Sequence, residues 1–229
     1  MRTLRRLLAS VIFVWGIVSG LATVAIIVWF RERDARTVFP AGSAASLLVP
    51  ARRWLMPVRQ TLDRFNLDEG DTVLELGPGP GYFSIEASRM VGAQGRVLCL
   101  DLQPGMAVIL RERLRTEGAG SGQPIAGDAI RLPLADHSVD KAFLVAMFGE
   151  IPDRPAALAE LRRVIKPGGM LAFSETFTDP DYMFVNELED LCRAYGFERL
   201  ERQRAILGYT LTFTAPKKRA RRRRTPQPS

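Results

Sequence analysis

An α/β fold, with mainly parallel strands alternating with helices that cover both faces of the sheet, is what this 229-residue chain predicts. Three observations carry that expectation. The first is the stretch Thr72-Val-Leu-Glu-Leu-Gly-Pro-Gly-Pro-Gly81, a short apolar run closed by glycines at alternate positions, after which helical periodicity starts at Tyr82. A strand, tight turn and helix start of this kind let backbone approach a nucleotide closely, because glycine lacks a Cβ and tolerates positive φ. The second is the repetition of short apolar runs and 3.6-periodic segments, in alternation, as far as Tyr195. The third is what closes those runs. Gly77 to Gly81, Asp101, Asp128 and the segment after Met147 all fall at carboxyl ends of strands, the edge where open α/β sheets bind ligands.

Taken in order, Val58 to Leu67 is helical by the spacing of Val58, Leu62 and Phe65, and Asp68 to Asp71 is a turn into the glycine strand. Val91-Gly-Ala-Gln-Gly95 turns the chain into Arg96–Leu102, a buried strand ending in Asp101. Pro104 takes the first position of a helix carrying Met106, Ile109, Leu110 and Arg113. Gln123 to Ala129 reads as a third strand ending at Asp128, and Val139 to Met147 as a fourth. Arg154 to Ile165 is a helix stopped by Lys166-Pro-Gly-Gly169, Met170 to Phe177 a fifth strand, and Asp181 to Tyr195 a helix closed by Gly196. Phe197–Ala205 and Tyr209–Ala215, split by Leu207-Gly208, suggest a terminal antiparallel pair.

The flanks differ in kind. Leu7 to Phe30 runs 24 residues without a charge, between Arg2, Arg5 and Arg6 on one side and Arg31, Arg33 and Arg36 on the other. About 20 apolar residues span a bilayer, whereas the apolar region of a cleaved signal is about 7–15, so an uncleaved transmembrane anchor is expected. Residues 1–36 are thus anchor and flanks, 37–57 a Pro-broken juxtamembrane linker or lid, 58–216 the folded domain and 217–229 a basic disordered tail. The formal charge is +7, and Lys217, Lys218, Arg219 and Arg221 to Arg224 supply seven positive charges, so the remainder is neutral. A basic nucleic-acid-binding body is excluded. Cys99 and Cys192 read as buried thiols of a reducing compartment.

Val73-Leu-Glu-Leu-Gly-Pro-Gly-Pro-Gly81, Asp101 with Met106, Gly127-Asp-Ala129 with Leu132-Pro-Leu-Ala-Asp-His-Ser-Val-Asp140, and Leu161-Arg-Arg-Val-Ile-Lys-Pro-Gly-Gly169 stand in an order that resembles class I S-adenosylmethionine-dependent methyltransferases. The likeness is greatest to the ubiquinone/menaquinone-biosynthesis (methyltransferase type 11) group and covers roughly Val58 to Pro216. It implies a Rossmann-like, seven-stranded sheet with the last strand antiparallel. It also implies that S-adenosyl-L-methionine is the cofactor. Gly77, Gly79 and Gly81 would pack against its amino-acid and ribose parts, and Glu75 would anchor the turn and reach the methionyl ammonium. Asp101 would accept from both ribose hydroxyls. Asp128 would accept from the adenine amino group while the Ala129 amide donates to a ring nitrogen, with Met106 and Leu132 about the ring. Asp101 can equally cap the helix after it, and Met106 can equally be core filling.

Methyl transfer asks mainly for positioning, and for a base only when the nucleophile arrives protonated. Many quinone-type relatives carry two histidines after the fourth strand; Gly149 and Glu150 stand here instead. Glu150 is therefore the candidate catalytic residue, with capping of the turn as its other reading, and Glu175 and Asp179 are weaker candidates. His137, the only histidine, reads as a surface residue, and no metal-ligand pattern is present. With no insertion after the fifth strand, a large substrate-binding domain is absent, and the expected partner is a lipophilic small molecule reached from the bilayer. A quinone precursor or a phospholipid headgroup would qualify. Because S-adenosylmethionine is made in the cytoplasm, the domain is expected on that side of the membrane. The rival readings are an RNA or protein methyltransferase, disfavoured by the neutral body, and a non-catalytic cofactor-binding scaffold. A nicotinamide dehydrogenase comes last, because the spacing is G-x-G-x-G rather than G-x-G-x-x-G.

Overall fold

The computed structural model describes Gly20, residues 56–205 and residues 207–217. Apart from Gly20, the expected anchor Leu7–Phe30 lies outside the described residues, as do the linker up to Leu55 and the tail from Lys218. Among the described residues no helix is long and apolar enough to cross a membrane. All elements below belong to the unit Phe39–Ser229.

They follow one another as α1 (Val58–Asp63), β1 (Thr72–Leu76), α2 (Ser84–Val91), β2 (Arg96–Asp101), α3 (Pro104–Thr116), β3 (Gly122–Ala126), β4 (Val139–Val145), a 3-10 turn (Phe148–Glu150), α4 (Arg154–Val164), β5 (Ile165–Thr176), α5 (Val185–Ala194), β6 (Glu198–Ala205) and β7 (Gly208–Thr214). The seven strands form one sheet in the order β3-β2-β1-β4-β5-β7-β6. The first five pair in parallel, and β7 runs antiparallel to both β5 and β6. The order reverses between β1 and β4, which makes the carboxyl ends of β1, β2, β4 and β5 the edge of interest.

Alternation along each strand sends side chains to two separate cores. Leu74, Leu76, Leu144, Leu171 and Phe173 face α4 and α5. Val73, Cys99, Phe143, Val145 and Ala172 face α1, α2 and α3. Both sheet faces are covered, as a parallel sheet of this kind requires. Cys99 and Cys192 are buried free thiols.

The helix expected to Leu67 ends at Asp63 and the strand expected to Met147 ends at Val145, and three further boundaries differ from expectation. The third strand ends at Ala126, so Asp128 lies in a turn where it bridges Arg131. Lys166-Pro-Gly-Gly169 does not separate helix from strand. It is the start of β5, where Gly168 at φ 81 lets the chain bulge while the pairing skips from Val139–Ile165 to Lys141–Met170. The helix expected from Asp181 begins at Val185, because Asp179 accepts the Asp181 amide at 2.8 Å and Tyr209 Oη donates to the Met183 carbonyl at 2.7 Å. Those bonds hold residues 179–183 as a loop.

Candidate active site

At the end of β1 the chain turns through Gly77, Gly79 and Gly81, with φ of 67°, 54° and 87°. A side chain is excluded here by space as well as by conformation. A Cβ on Gly77 would lie 2.7 Å from Met147 Cγ, and one on Gly81 would collide with Leu110. The turn is stitched to its neighbours by the Gly77 amide donating to the Leu100 carbonyl at 3.0 Å and the Gly127 amide donating to the Asp101 carbonyl at 2.9 Å. Three strand ends are thus held together at one edge.

Glu75, two residues before the turn, is only 3% exposed. Ser84 Oγ, on the first residue of α2, donates to its Oε2 at 2.5 Å, so strand and helix start are tied across the turn. Burial pushes the carboxyl up to about 7; the bonds from Ser84 and Cys99 oppose this, and the nearby charge of Asp101 adds to it. Asp101 closes β2 with its Oδ1 accepting the Gln103 amide at 2.9 Å. Burial raises its pKa, and the Gln103 and Gly79 amides pull it back. Asp101 does not cap α3: the N-cap is Gln103, with no side-chain cap bond, and the carboxylate keeps further lone pairs beyond the one that takes the Gln103 amide.

Asp128 is exposed, and its Oδ1 accepts the Ile130 amide at 3.1 Å. Ala129 and Leu132 are buried behind it. Met106, in the first turn of α3, is 2% exposed, which suits a wall residue or core filling equally. Sequence reasoning missed the strut under this loop. Arg163, on α4, donates to the carbonyls of Leu132 and Leu134 at 3.0 and 2.7 Å, and pairs with Asp136 and Glu160. Glu160 in turn accepts the Leu132 amide at 2.8 Å. No local spacing announces a contact about 30 residues long in sequence, although Leu161-Arg-Arg-Val lies in the quoted motif. His137 is exposed, at φ 53°, against the Ile165 carbonyl at 3.2 Å.

Glu150 ends the 3-10 turn after β4 and is half-buried, with its amide on the Met147 carbonyl at 3.1 Å. Its neighbour Gly149 has no room for a Cβ, because the Asp181 carbonyl packs against it. Arg154 Nη2 donates to the Gly149 carbonyl at 3.2 Å. The turn after β4 and the loop after β5 are therefore packed on each other. Beneath them lies Glu175, 2% exposed, with both carboxyl oxygens lacking a hydrogen bond. Burial holds this carboxyl well above the usual range. The charges of Asp179 and Asp181 add to the rise, while the Met183 amide and Arg154 oppose it. No group of three or more His, Cys, Asp or Glu side chains among the described residues could hold a metal ion.

Residues 73–169 match a family model described as a methyltransferase domain. The chain is similar to the ubiquinone/menaquinone biosynthesis C-methyltransferase UbiE of Klebsiella pneumoniae, with 34% identity over 143 residues, 62% of this chain and 55% of that one. It is 35% identical to UbiE of Haemophilus ducreyi over 132 residues, 56% of this chain and 51% of the relative. The chain thus spans about half the length of the curated relatives it matches. Among solved structures, an S-adenosylmethionine-dependent methyltransferase from Aquifex aeolicus superposes with a TM-score of 0.74 at 24% identity, covering 78% of this chain and 100% of that one. The sheet order and these matches agree on the fold.

Proposed function

We propose that this chain, whose residues 73–169 are an S-adenosylmethionine-dependent methyltransferase domain, transfers a methyl group to a small lipophilic acceptor of the quinone-precursor type at a membrane surface. The observation that carries the reading is the cradle at the β1 and β2 ends, three positive-φ glycines, of which Gly77 and Gly81 have no space for a Cβ, beside the buried Asp101 carboxylate. The similarity to UbiE supports the acceptor class, and the uncharged run Leu7–Phe30 supports the membrane.

The cradle fits S-adenosylmethionine in chemistry. Gly77, Gly79 and Gly81 would admit its amino-acid and ribose portions, Glu75 would hold the turn and Asp101 would take the ribose hydroxyls. Asp128 and the Ala129 amide would face the adenine, with Met106 behind. When bound, the cofactor supplies an activated methyl on a sulfonium. The chain's own task is then to orient the acceptor, exclude water and, for a protonated acceptor, receive a proton. Glu150 is the carboxylate offered for that last step. The domain is read as cytoplasmic, and the tail from Lys217 as a contact for anionic lipid at about 1 kcal/mol per basic residue.

The test uses the full chain in its membranes with radiolabelled S-adenosylmethionine. Label entering the organic extract supports the acceptor class; label confined to protein or RNA fractions overturns it. Protease added to intact cells should spare the domain, and digestion there would sink the cytoplasmic placement.

A further inference from the structure

On the face of the sheet that carries α1, at the carboxyl end of β5, a small cleft of about 40 Å³ opens between helix and sheet. A single water takes about 10–15 Å³, so the cleft has room for a head group of a few heavy atoms and leaves the body of an acceptor outside it. Its apolar walls include Met56, Pro57 and Leu207, and Gln60, Thr61, Arg64, Ser174 and Thr176 are its polar lining residues beside Glu175. We propose that this cleft is the acceptor's head-group subsite and that Arg64 makes it selective for an acceptor bearing an anionic oxygen, a carboxylate or a phenolate, on an apolar body. The acceptor role rests on the methyl-transfer reading above.

Arg64 carries the argument. Its Nη1 donates to Thr210 Oγ1 at 3.2 Å. Thr210 lies opposite Ser174 in the β5–β7 register. The guanidinium is thereby held at the level of Ser174, half-buried beside the cleft. Among the described residues Arg64, just past the end of α1, forms no ion pair, whereas Arg59, within that helix, pairs with both Asp63 and Glu86. A guanidinium has five N–H donors, and the bond to Thr210 uses one. Glu175 also lines the cleft, but strand alternation sends its carboxyl to the opposite face, among Asp179, Asp181 and Tyr209. Thr61 and Thr176 donate their hydroxyls to the carbonyls of Pro57 and Leu207. Gln60 brings a neutral amide, so the Arg64 guanidinium is the cleft's one cationic donor set. A fork of N–H groups in a partly dry cleft prefers a carboxylate or phenolate over a neutral group, and the apolar walls border the body where it leaves the cleft.

The cleft also adjoins the cofactor cradle. Met147 packs on Gly77, and the Ala146 amide donates to the Ser174 carbonyl at 2.8 Å. Tyr82, just past the turn, donates from its hydroxyl to the Met56 carbonyl at 3.2 Å, tying the cleft's rim to the cradle. With strands about 4.8 Å apart, β5 lies about 10 Å from β1 across β4. An acceptor of one ring, held at Arg64, would extend toward the end of β4.

Benzoate and benzyl alcohol, alike in ring and size, test the charge preference. Binding of each to the full chain in mild detergent is measured by ligand-observed NMR, with and without S-adenosylhomocysteine. Benzoate should bind at least roughly tenfold more tightly than benzyl alcohol, weaken as salt rises, and lose that advantage in Arg64→Gln. Arg64→Lys, which keeps the charge without the fork, should fall between. Equal binding of the two probes, no benzoate binding, or unchanged benzoate affinity in Arg64→Gln would overturn the subsite. If Arg64→Gln fails to fold, the probe comparison and its salt dependence on the wild-type chain decide alone. S-adenosylhomocysteine binding separates the two readings. Arg64-dependent benzoate binding without it would remove the acceptor role and keep an anion site; the reverse would remove the subsite and keep the methyltransferase.

Discussion

Glu75 and Glu175 stand at equivalent depths in the same sheet, near the carboxyl ends of β1 and β5, and both are closed off from water. Their surroundings are opposite. Glu75 takes the Ser84 hydroxyl at 2.5 Å and a bond from Cys99. Glu175 takes no hydrogen bond at either oxygen and meets the like charges of Asp179 and Asp181. The cofactor half of the edge is therefore built from groups that satisfy one another before any ligand arrives. At the β5 end the Glu175 carboxyl is left without a hydrogen bond, and an unpaired buried carboxyl costs stability unless it stays protonated.

The largest expected effect lies in the pH dependence of stability. A carboxyl raised from 4.5 to about 7 on folding contributes stability that is whole below the unfolded value. That contribution is lost as pH rises through the folded value. Glu75 should thus cost the fold about 3 kcal/mol between about pH 4.5 and 7. Glu175, also raised, adds a loss of the same sign. Thermal melts of wild type and Glu75→Gln across pH 5 to 8 should converge at the acid end and part at neutral pH, with the variant the more stable. Parallel curves would show that Glu75 titrates as an ordinary glutamate.

Next in size is the loss of cofactor affinity in Asp101→Ala, about a hundredfold, as expected for ribose hydroxyls left unpaired in a closed site. Glu175→Gln should leave the same titration unmoved. Calorimetry with S-adenosylhomocysteine reads both, and equal losses in the two variants would erase the division between halves.

Much of the cofactor half was legible because its determinants are local. Three glycines at alternate positions, Glu75 before them and Asp101 closing the next apolar run are readable from spacing, and the sheet order follows from the alternation of elements. The rest depends on chain segments far apart in sequence. Nothing near Arg64 announces Thr210, nor does Leu132 announce Arg163. Glu175 and Asp179 could be named as weak candidates, but strand alternation and the loop over them decide that the Glu175 carboxyl is buried and unpaired. The start of β5 was hidden because Pro-Gly-Gly reads as a stop, while Gly168 and Gly169 in fact allow the bulge and the close approach to the Asp140 carbonyl.

A smaller effect is expected from Glu175→Met. Replacing an unpaired buried carboxyl by an apolar side chain of similar length removes a desolvation cost and breaks no hydrogen bond. Stability at pH 7 should rise by about 1–2 kcal/mol, where Glu75→Met should lose a similar amount by stranding the buried Ser84 hydroxyl. Denaturant unfolding of the two variants reads the contrast directly, and destabilisation of both would mean that Glu175 has a partner in solution.

The smallest effect on binding is expected at Glu150, and its value lies in the split between binding and turnover. Glu150 lies beside Gly149, in the turn packed against the loop after β5. Glu150→Gln keeps the shape and removes the charge and the basicity. Affinity for S-adenosylhomocysteine should therefore stay within about twofold, a few tenths of a kcal/mol, of wild type. If the carboxylate receives a proton from the acceptor, kcat should fall about a hundredfold or more, and the acid limb of the kcat–pH profile should vanish. A Glu150 that only orients the acceptor would raise KM and leave that limb in place. Unaltered kcat, KM and pH profile would return Glu150 to its turn, and the acceptor half would then act through positioning alone, with Arg64 as its charged contact.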